Sequence, residues 1–129
     1  MKFHHIGIAC VDLKKSIDTY KNLGYSNSDI IYDPLQKVNL CFLNKANSPL
    51  IELVGSDENN SVLNNILKKN GTSPYHTCYE INNINNQINS LIDKDYVLIM
   101  KPIKAIAFSN RKICFMYHRH IGVIELLEC

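Results

Sequence analysis

Apolar and polar positions alternate first with the period of a strand and then with that of a helix, and this sequence of periods occurs twice. The chain opens on FHHIGIA, Phe3 to Ala9, where side chains point to opposite faces in turn. Ile6, Ile8 and Cys10 form an apolar face that reads as core. The other face holds His5, Gly7 and Ala9, one imidazole followed by two very small residues, as on a strand that lines a cavity. Asp12 is placed to cap a helix with Leu13, Ile17 and Tyr20 on one side, and Gly24 to end it. A polar turn follows. A short strand is expected near Ile30 to Tyr32, and longer ones over Lys37 to Leu43 and Leu50 to Val54. A helix over Ser61 to Asn70 would put Val62, Leu63, Ile66 and Leu67 on one face, closed by Gly71.

The pattern then restarts. Tyr75 to Glu80 reads as a strand, and Asn83 caps a helix carrying Ile84, Ile88, Leu91 and Ile92. Extended structure resumes over Tyr96 to Met100, followed by strands over Arg111 to Tyr117 and, after a turn through His118 to Ile121, over GVIELLE. His5 and His76 lie 71 residues apart, and Asp12 and Asn83 each fall seven residues after their histidine. Ile17 and Ile88, and Tyr25 and Tyr96, keep the same spacing. The Cys-Phe pairs at Cys41 and Cys114 and the Ile-Glu-Leu triplets at Glu52 and Glu125 follow with a two-residue offset. The chain is therefore a duplication of strand, helix and three strands. Module one covers about residues 1–56, the connector helix 61–70 and module two 74–129, expected to pack as one domain.

Composition narrows the function classes. The 129 residues fit a single domain, and 14 Lys and Arg against 12 Asp and Glu leave a net charge of +2 with no basic run. Nucleic acid and acidic membranes are thus poor partners. The sequence has no signal-peptide pattern and no apolar run of membrane-spanning length, so a cytoplasmic protein is expected. The five cysteines form no C-x-x-C pair, and four fall in strand-like segments, as small buried hydrophobes would in a reducing compartment. The Asn-rich run NNINNQ keeps helical apolar spacing and so is not read as disordered.

The duplication joins four residues into one chemical signal. Each module begins with a strand bearing a histidine, His5 or His76, and ends with a strand bearing a glutamate between apolar neighbours, Glu52 or Glu125. A carboxylate in an apolar strand is costly unless it is paired or metal-bound. Repeat-equivalent positions should bring the four to a pseudo-twofold axis. There a divalent cation (Zn, Ni, Co, Mn or Fe) would satisfy two imidazole nitrogens and two carboxylate oxygens. The plainer alternative puts both glutamates on solvent-facing strand sides.

With the repeat, FHHIGIAC-VDLKKSIDTYKNLGY, PLIELV, YHTCYE and GVIELLE, the whole chain resembles the vicinal oxygen chelate superfamily. Its members include glyoxalase I, methylmalonyl-CoA epimerase, bleomycin-resistance proteins and extradiol dioxygenases. The resemblance implies an α+β fold of two paired βαβββ modules forming a cup-shaped mixed sheet around a metal, usually in a homodimer. It carries the ligand roles onto His5, Glu52, His76 and Glu125, and implies a divalent metal ion as cofactor. A four-ligand His/Glu set is similar to that of the redox-neutral members, which move a proton next to a carbonyl, and Glu125 is the catalytic base this implies. The activity implied is that of an epimerase of the methylmalonyl-CoA type, acting on a small CoA or glutathione thioester. Lactoylglutathione lyase is the alternative, and a non-catalytic binding or resistance protein is the alternative from another class.

Both enzyme readings meet a departure. Where bacterial glyoxalases place an Arg on the first strand, this chain has Ala9. Where epimerases place a catalytic Glu, the stretch DPLQKV has Leu35 or Gln36. Glu80 shares a strand face with His76 and Cys78, as a relay carboxylate or, more simply, a surface residue. Asn110, Arg111 and Lys112 could meet a CoA phosphate or form a solvated turn. His4, Tyr79 and Phe115 read as structural or packing residues, and His118 and His120 as exposed loop histidines or, as an H-x-H pair, an adventitious metal site.

Overall fold

The computed structural model describes residues 1–58 and 61–129, with the backbone alone of 61 and 62. The place of Val62 on its helix face lies outside that description. Nine strands and three α-helices occur among the described residues. They fall into two compact units, one of residues 5–75 and one of residues 1–4 and 76–129.

The first unit runs β1 (Lys2–Ala9, of which His5 onward belongs here), α1 (Leu13–Lys21), β2 (Ser26–Asn27), β3 (Ile31–Asp33), β4 (Val38–Asn44), β5 (Leu50–Gly55) and α2 (Ser61–Asn70). Asp12 caps α1 as expected, its Oδ1 accepting from the Lys15 amide at 3.0 Å, and Gly24 takes the left-handed backbone (φ +89°) that a residue with a Cβ rarely adopts. β1 pairs parallel with β5, β5 antiparallel with β4, and β2 and β3 both pair with β4. Beneath α1, Ile8, Cys10, Ile17, Cys41, Leu43, Ile51 and Leu53 form an apolar cluster.

The segment read as a polar turn holds the two-residue strand β2. Residues 28–30 separate it from β3, and Ser28 bonds back to Phe42, its amide to the Phe42 carbonyl and its Oγ accepting from the Phe42 amide, both at 2.9 Å. A serine hydroxyl can bond backbone in this way and so compete with the ladder, a choice that apolar periodicity does not register.

The second unit repeats this order in β6 (Ser73–Ile81), α3 (Ile84–Ile92), β7 (Val97–Ala105), β8 (Arg111–His118) and β9 (Gly122–Glu128). β6 pairs parallel with β9, β9 antiparallel with β8, and β8 with β7. Asn83 caps α3 through the Asn86 amide at 2.9 Å, and Ile84, Ile88 and Leu91 bury its inner face against Cys114, Met116, Ile124 and Leu126. The Asn-rich run is thus the start of a helix. β7 continues five residues past Met100, crossing Pro102 with register shifts between Leu98 and Met100 and between Met100 and Ile103. Irregular pairing of this kind accommodates a residue without an amide donor.

Candidate metal and active site

Strand register puts a histidine, a glutamate and a phenylalanine on one face in each unit. In the first, Gly7 pairs with Glu52 and Glu52 with Phe42. Directly paired residues share a face, and so do residues two apart on a strand, so His5, Glu52 and Phe42 lie together on the side opposite the α1 cluster. In the second, Cys78 pairs with Glu125 and Glu125 with Phe115, which places His76, Glu125 and Phe115 in the same arrangement. The side-chain period of two therefore divides each sheet into a helix-covered face and a face that carries the polar groups.

His5 Nε2 stands 3.7 Å from Glu52 Oε1, and His76 Nε2 stands 3.0 Å from Glu125 Oε2. All four residues are buried, at 0% (His5), 4% (Glu52), 4% (His76) and 2% (Glu125) relative exposure. The solvent-facing alternative for the glutamates is excluded by these values. Each pair is flanked by an aromatic edge contact. His5 meets the Phe42 ring at 6.1 Å between centroids and 77°, and His76 meets the Phe115 ring at 5.3 Å and 72°. In the sequence alone Phe42 carries no role and Phe115 reads as packing. The signal was present, because the Cys-Phe pairs repeat at the same offset as the glutamates.

The donor chemistry fits a divalent cation. His5 and Glu52 in the first unit, and His76 and Glu125 in the second, each offer one nitrogen or oxygen of the kind such a cation takes. Cys114, next to Phe115 on β8, is of another kind. Burial, with the Glu125 charge adding to it, pushes its thiol up to about 12, so it stays neutral and packs as a small hydrophobe. Cys10, Cys41 and Cys78 are also buried and Cys129 is exposed; Cys10 lies one residue past the end of β1.

The remaining candidates are engaged elsewhere. Arg111 donates from Nη2 to Glu80 Oε2 and from Nε to the Glu128 carbonyl, both at 2.8 Å, while Lys112 Nζ lies 3.9 Å from Glu128 Oε1. Arg111 therefore ties strands together, and its guanidinium, occupied by the Glu80 carboxylate, holds that carboxyl below the usual range. Leu35 and Gln36 lie in the turn between β3 and β4, not on a strand. Buried Asp33 organises that turn, accepting from the Leu35 amide (2.9 Å), the Gln36 amide (3.2 Å) and Gln36 Nε2 (2.9 Å). Ala9 is fully buried at the end of β1, paired with Val54. His4 packs edge-on against Phe108 and Tyr79 against Phe3. His118 ends β8 with its ring 4.7 Å from that of Tyr96, and its Nδ1 accepts from the His120 amide at 3.2 Å.

The curated relatives share a single kind of name and are longer than this chain. The chain is 29% identical to mitochondrial methylmalonyl-CoA epimerase of Dictyostelium discoideum over 130 residues, spanning 98% of this chain and 77% of that protein. The human mitochondrial methylmalonyl-CoA epimerase is likewise 29% identical, over 97% of this chain and 72% of its own. The crystal structure of methylmalonyl-CoA epimerase from Mycobacterium tuberculosis superposes with a TM-score of 0.83 at 23% identity, covering 98% of this chain and 87% of the other. That likeness establishes the α+β fold. The family model for the Glyoxalase/Bleomycin resistance protein/Dioxygenase superfamily matches residues 4–115. With two units built on one strand order and a buried histidine–glutamate pair in each, the chain belongs to the Glyoxalase/Bleomycin resistance protein/Dioxygenase superfamily.

Proposed function

We propose that this protein is a metal-dependent epimerase that inverts a carbon next to the carbonyl of a small acyl-CoA thioester, methylmalonyl-CoA being the first candidate. His5, Glu52, His76 and Glu125 would hold one divalent cation (Zn, Ni, Co or Mn), the two units acting as one domain. The observation that carries this reading is the pair of buried His–Glu contacts at repeat-equivalent positions, in a chain whose relatives are methylmalonyl-CoA epimerases over nearly its whole length. Held there, such a cation would supply Lewis acidity to the thioester carbonyl, which makes the adjacent C–H bond more acidic. Glu125 accepts the α-proton, leaving its electron pair delocalised into the carbonyl. A proton from solvent adds to the opposite face of the planar carbon while Glu125 gives up the α-proton to solvent, so one C–H bond breaks and one forms with no net redox change.

Glyoxalase chemistry is less well supported. The position where a cation would grip glutathione is the buried Ala9, and Arg111 is paired with Glu80. A purely binding protein would have no use for four buried ionisable donors, whose desolvation is costly. Exposed Val97, Ile99 and Tyr117 on β7 and β8 support a homodimer, to be checked by light scattering. Among the described residues no helix is long and apolar enough to cross a membrane. Free cysteines favour a reducing compartment such as the cytoplasm, whereas the curated relatives are mitochondrial by name.

The test is solvent deuterium entry at C2 of methylmalonyl-CoA, run on protein reconstituted with Co2+ or Zn2+ and analysed for bound metal. Deuterium incorporation with racemisation is expected, and no S-lactoylglutathione from methylglyoxal and glutathione. Metal-loaded protein that exchanges no deuterium overturns the epimerase reading.

A further inference from the structure

We propose that Phe42 and Phe115 are positioning residues, one per unit, that hold the imidazoles of His5 and His76 with Nε2 toward the carboxylate donors. The proposal rests on the metal reading above and adds to it the groups that orient the ligands. Each phenylalanine is the cross-strand partner of a glutamate, Phe42 of Glu52 and Phe115 of Glu125, and each meets the neighbouring imidazole edge-on. Neither belongs to the apolar cluster beneath its helix, and both are only partly buried. Their chain neighbours Cys41, Leu43, Cys114 and Met116 are at most 1% exposed. A partly buried phenylalanine that recurs at this register outside both apolar clusters has a local environment to serve, and that environment is the histidine–glutamate pair.

The torsion of a histidine ring about its second side-chain bond is broad and roughly two-fold, so the strand alone does not decide which nitrogen faces the glutamate. A flat ring packed edge-to-face restricts that torsion without competing for the nitrogen as a hydrogen-bonding group would. Groups around a metal ligand that fix its ring orientation typically change metal affinity by about 10–100-fold when removed, and an apolar shell also limits water at the site.

The test uses Co2+ as probe, because its visible bands report ligand geometry as well as binding. Wild type, Phe42→Leu, Phe115→Leu and the double variant are titrated with Co2+ alone, beside Phe42→Tyr and Phe115→Tyr, which keep a ring. Thermal melts of the metal-free proteins are recorded in parallel. Each Leu substitution is expected to raise the Co2+ dissociation constant by about tenfold and the double variant by about a hundredfold. The bands should move, and the Tyr variants should restore both affinity and spectrum. Should a Leu variant fail to fold, Phe→Met at the same position keeps the bulk without the flat ring and makes the same comparison. Leu variants that match wild type in affinity and spectrum overturn the positioning role while leaving the metal reading in place. A wild-type chain that takes up no Co2+ overturns both.

Discussion

The two units carry the same triad of residue types at the same register, yet their histidine–glutamate pairs are not equal. His76 and Glu125 stand at 3.0 Å, within hydrogen-bonding distance, whereas His5 and Glu52 stand at 3.7 Å, beyond it. Cys78 occupies the pairing position opposite Glu125 where Gly7 stands opposite Glu52. The outer arm differs too. It is one nine-residue strand, β7, in the second unit and two short pieces, β2 and β3, in the first. Duplication thus preserves strand order and pairing, which fix which face each side chain takes. Separations within that frame remain free to diverge, and with them the roles of the two carboxylates.

The sharpest way to break this comparison is to neutralise each carboxylate in turn. Under the proposed mechanism Glu125→Gln should lower kcat by about 10²–10⁴-fold, the range for a lost general base. Glu52→Gln, which keeps an oxygen donor, should cost about tenfold or less, mainly through metal affinity. Equal losses in deuterium-exchange rate would show that the two units share the proton transfer.

Next in size are the cores. Leu53 and Leu126 directly follow the two glutamates, and both are fully buried. Leu53→Ala and Leu126→Ala should each lose about 2–5 kcal/mol in urea unfolding. If the units fold as one domain, both substitutions shift a single transition. A variant that moves only one of two transitions would show units that unfold separately.

The helix caps offer a smaller, matched pair. Asp12→Ala and Asn83→Ala each remove a side-chain acceptor from a first-turn amide and should cost about 1 kcal/mol, read by the same melts. A difference well above that between the two would place one helix under extra load.

The smallest effect is electrostatic and belongs to the second unit alone. The Arg111 hydrogen bond holds the Glu80 carboxyl below its ordinary value. Its contribution is therefore present above the unfolded-state value of about 4.3 and fades as pH falls through the lower folded-state one. Glu80→Gln should be slightly less stable than wild type at pH 7, and the gap should narrow as pH falls below the ordinary carboxylate range. An unchanged gap would show that packing, not charge, is what the substitution removes. The pair is partly exposed, so the effect should also shrink in added salt.

Much of this protein is written along the chain itself. Helix caps at Asp12 and Asn83, the strand faces of His5 and His76, and the spacing of Glu52 and Glu125 all follow from periods of two and 3.6 and from counting across the repeat. Those signals are short in range, so they need no knowledge of which strands meet. The structure adds what depends on pairing. The β4–β5 and β8–β9 register sets Phe42 and Phe115 beside the glutamates. The fold also brings Arg111 to Glu80, 31 residues away, where the sequence alone left it as a phosphate ligand or a solvated turn. Asp33 turns out to be buried because the turn around it supplies three donors, a compensation invisible to any hydropathy pattern. Local periodicity decides which way a side chain points, but its neighbour is decided by strand register between distant segments, and only the folded chain settles that.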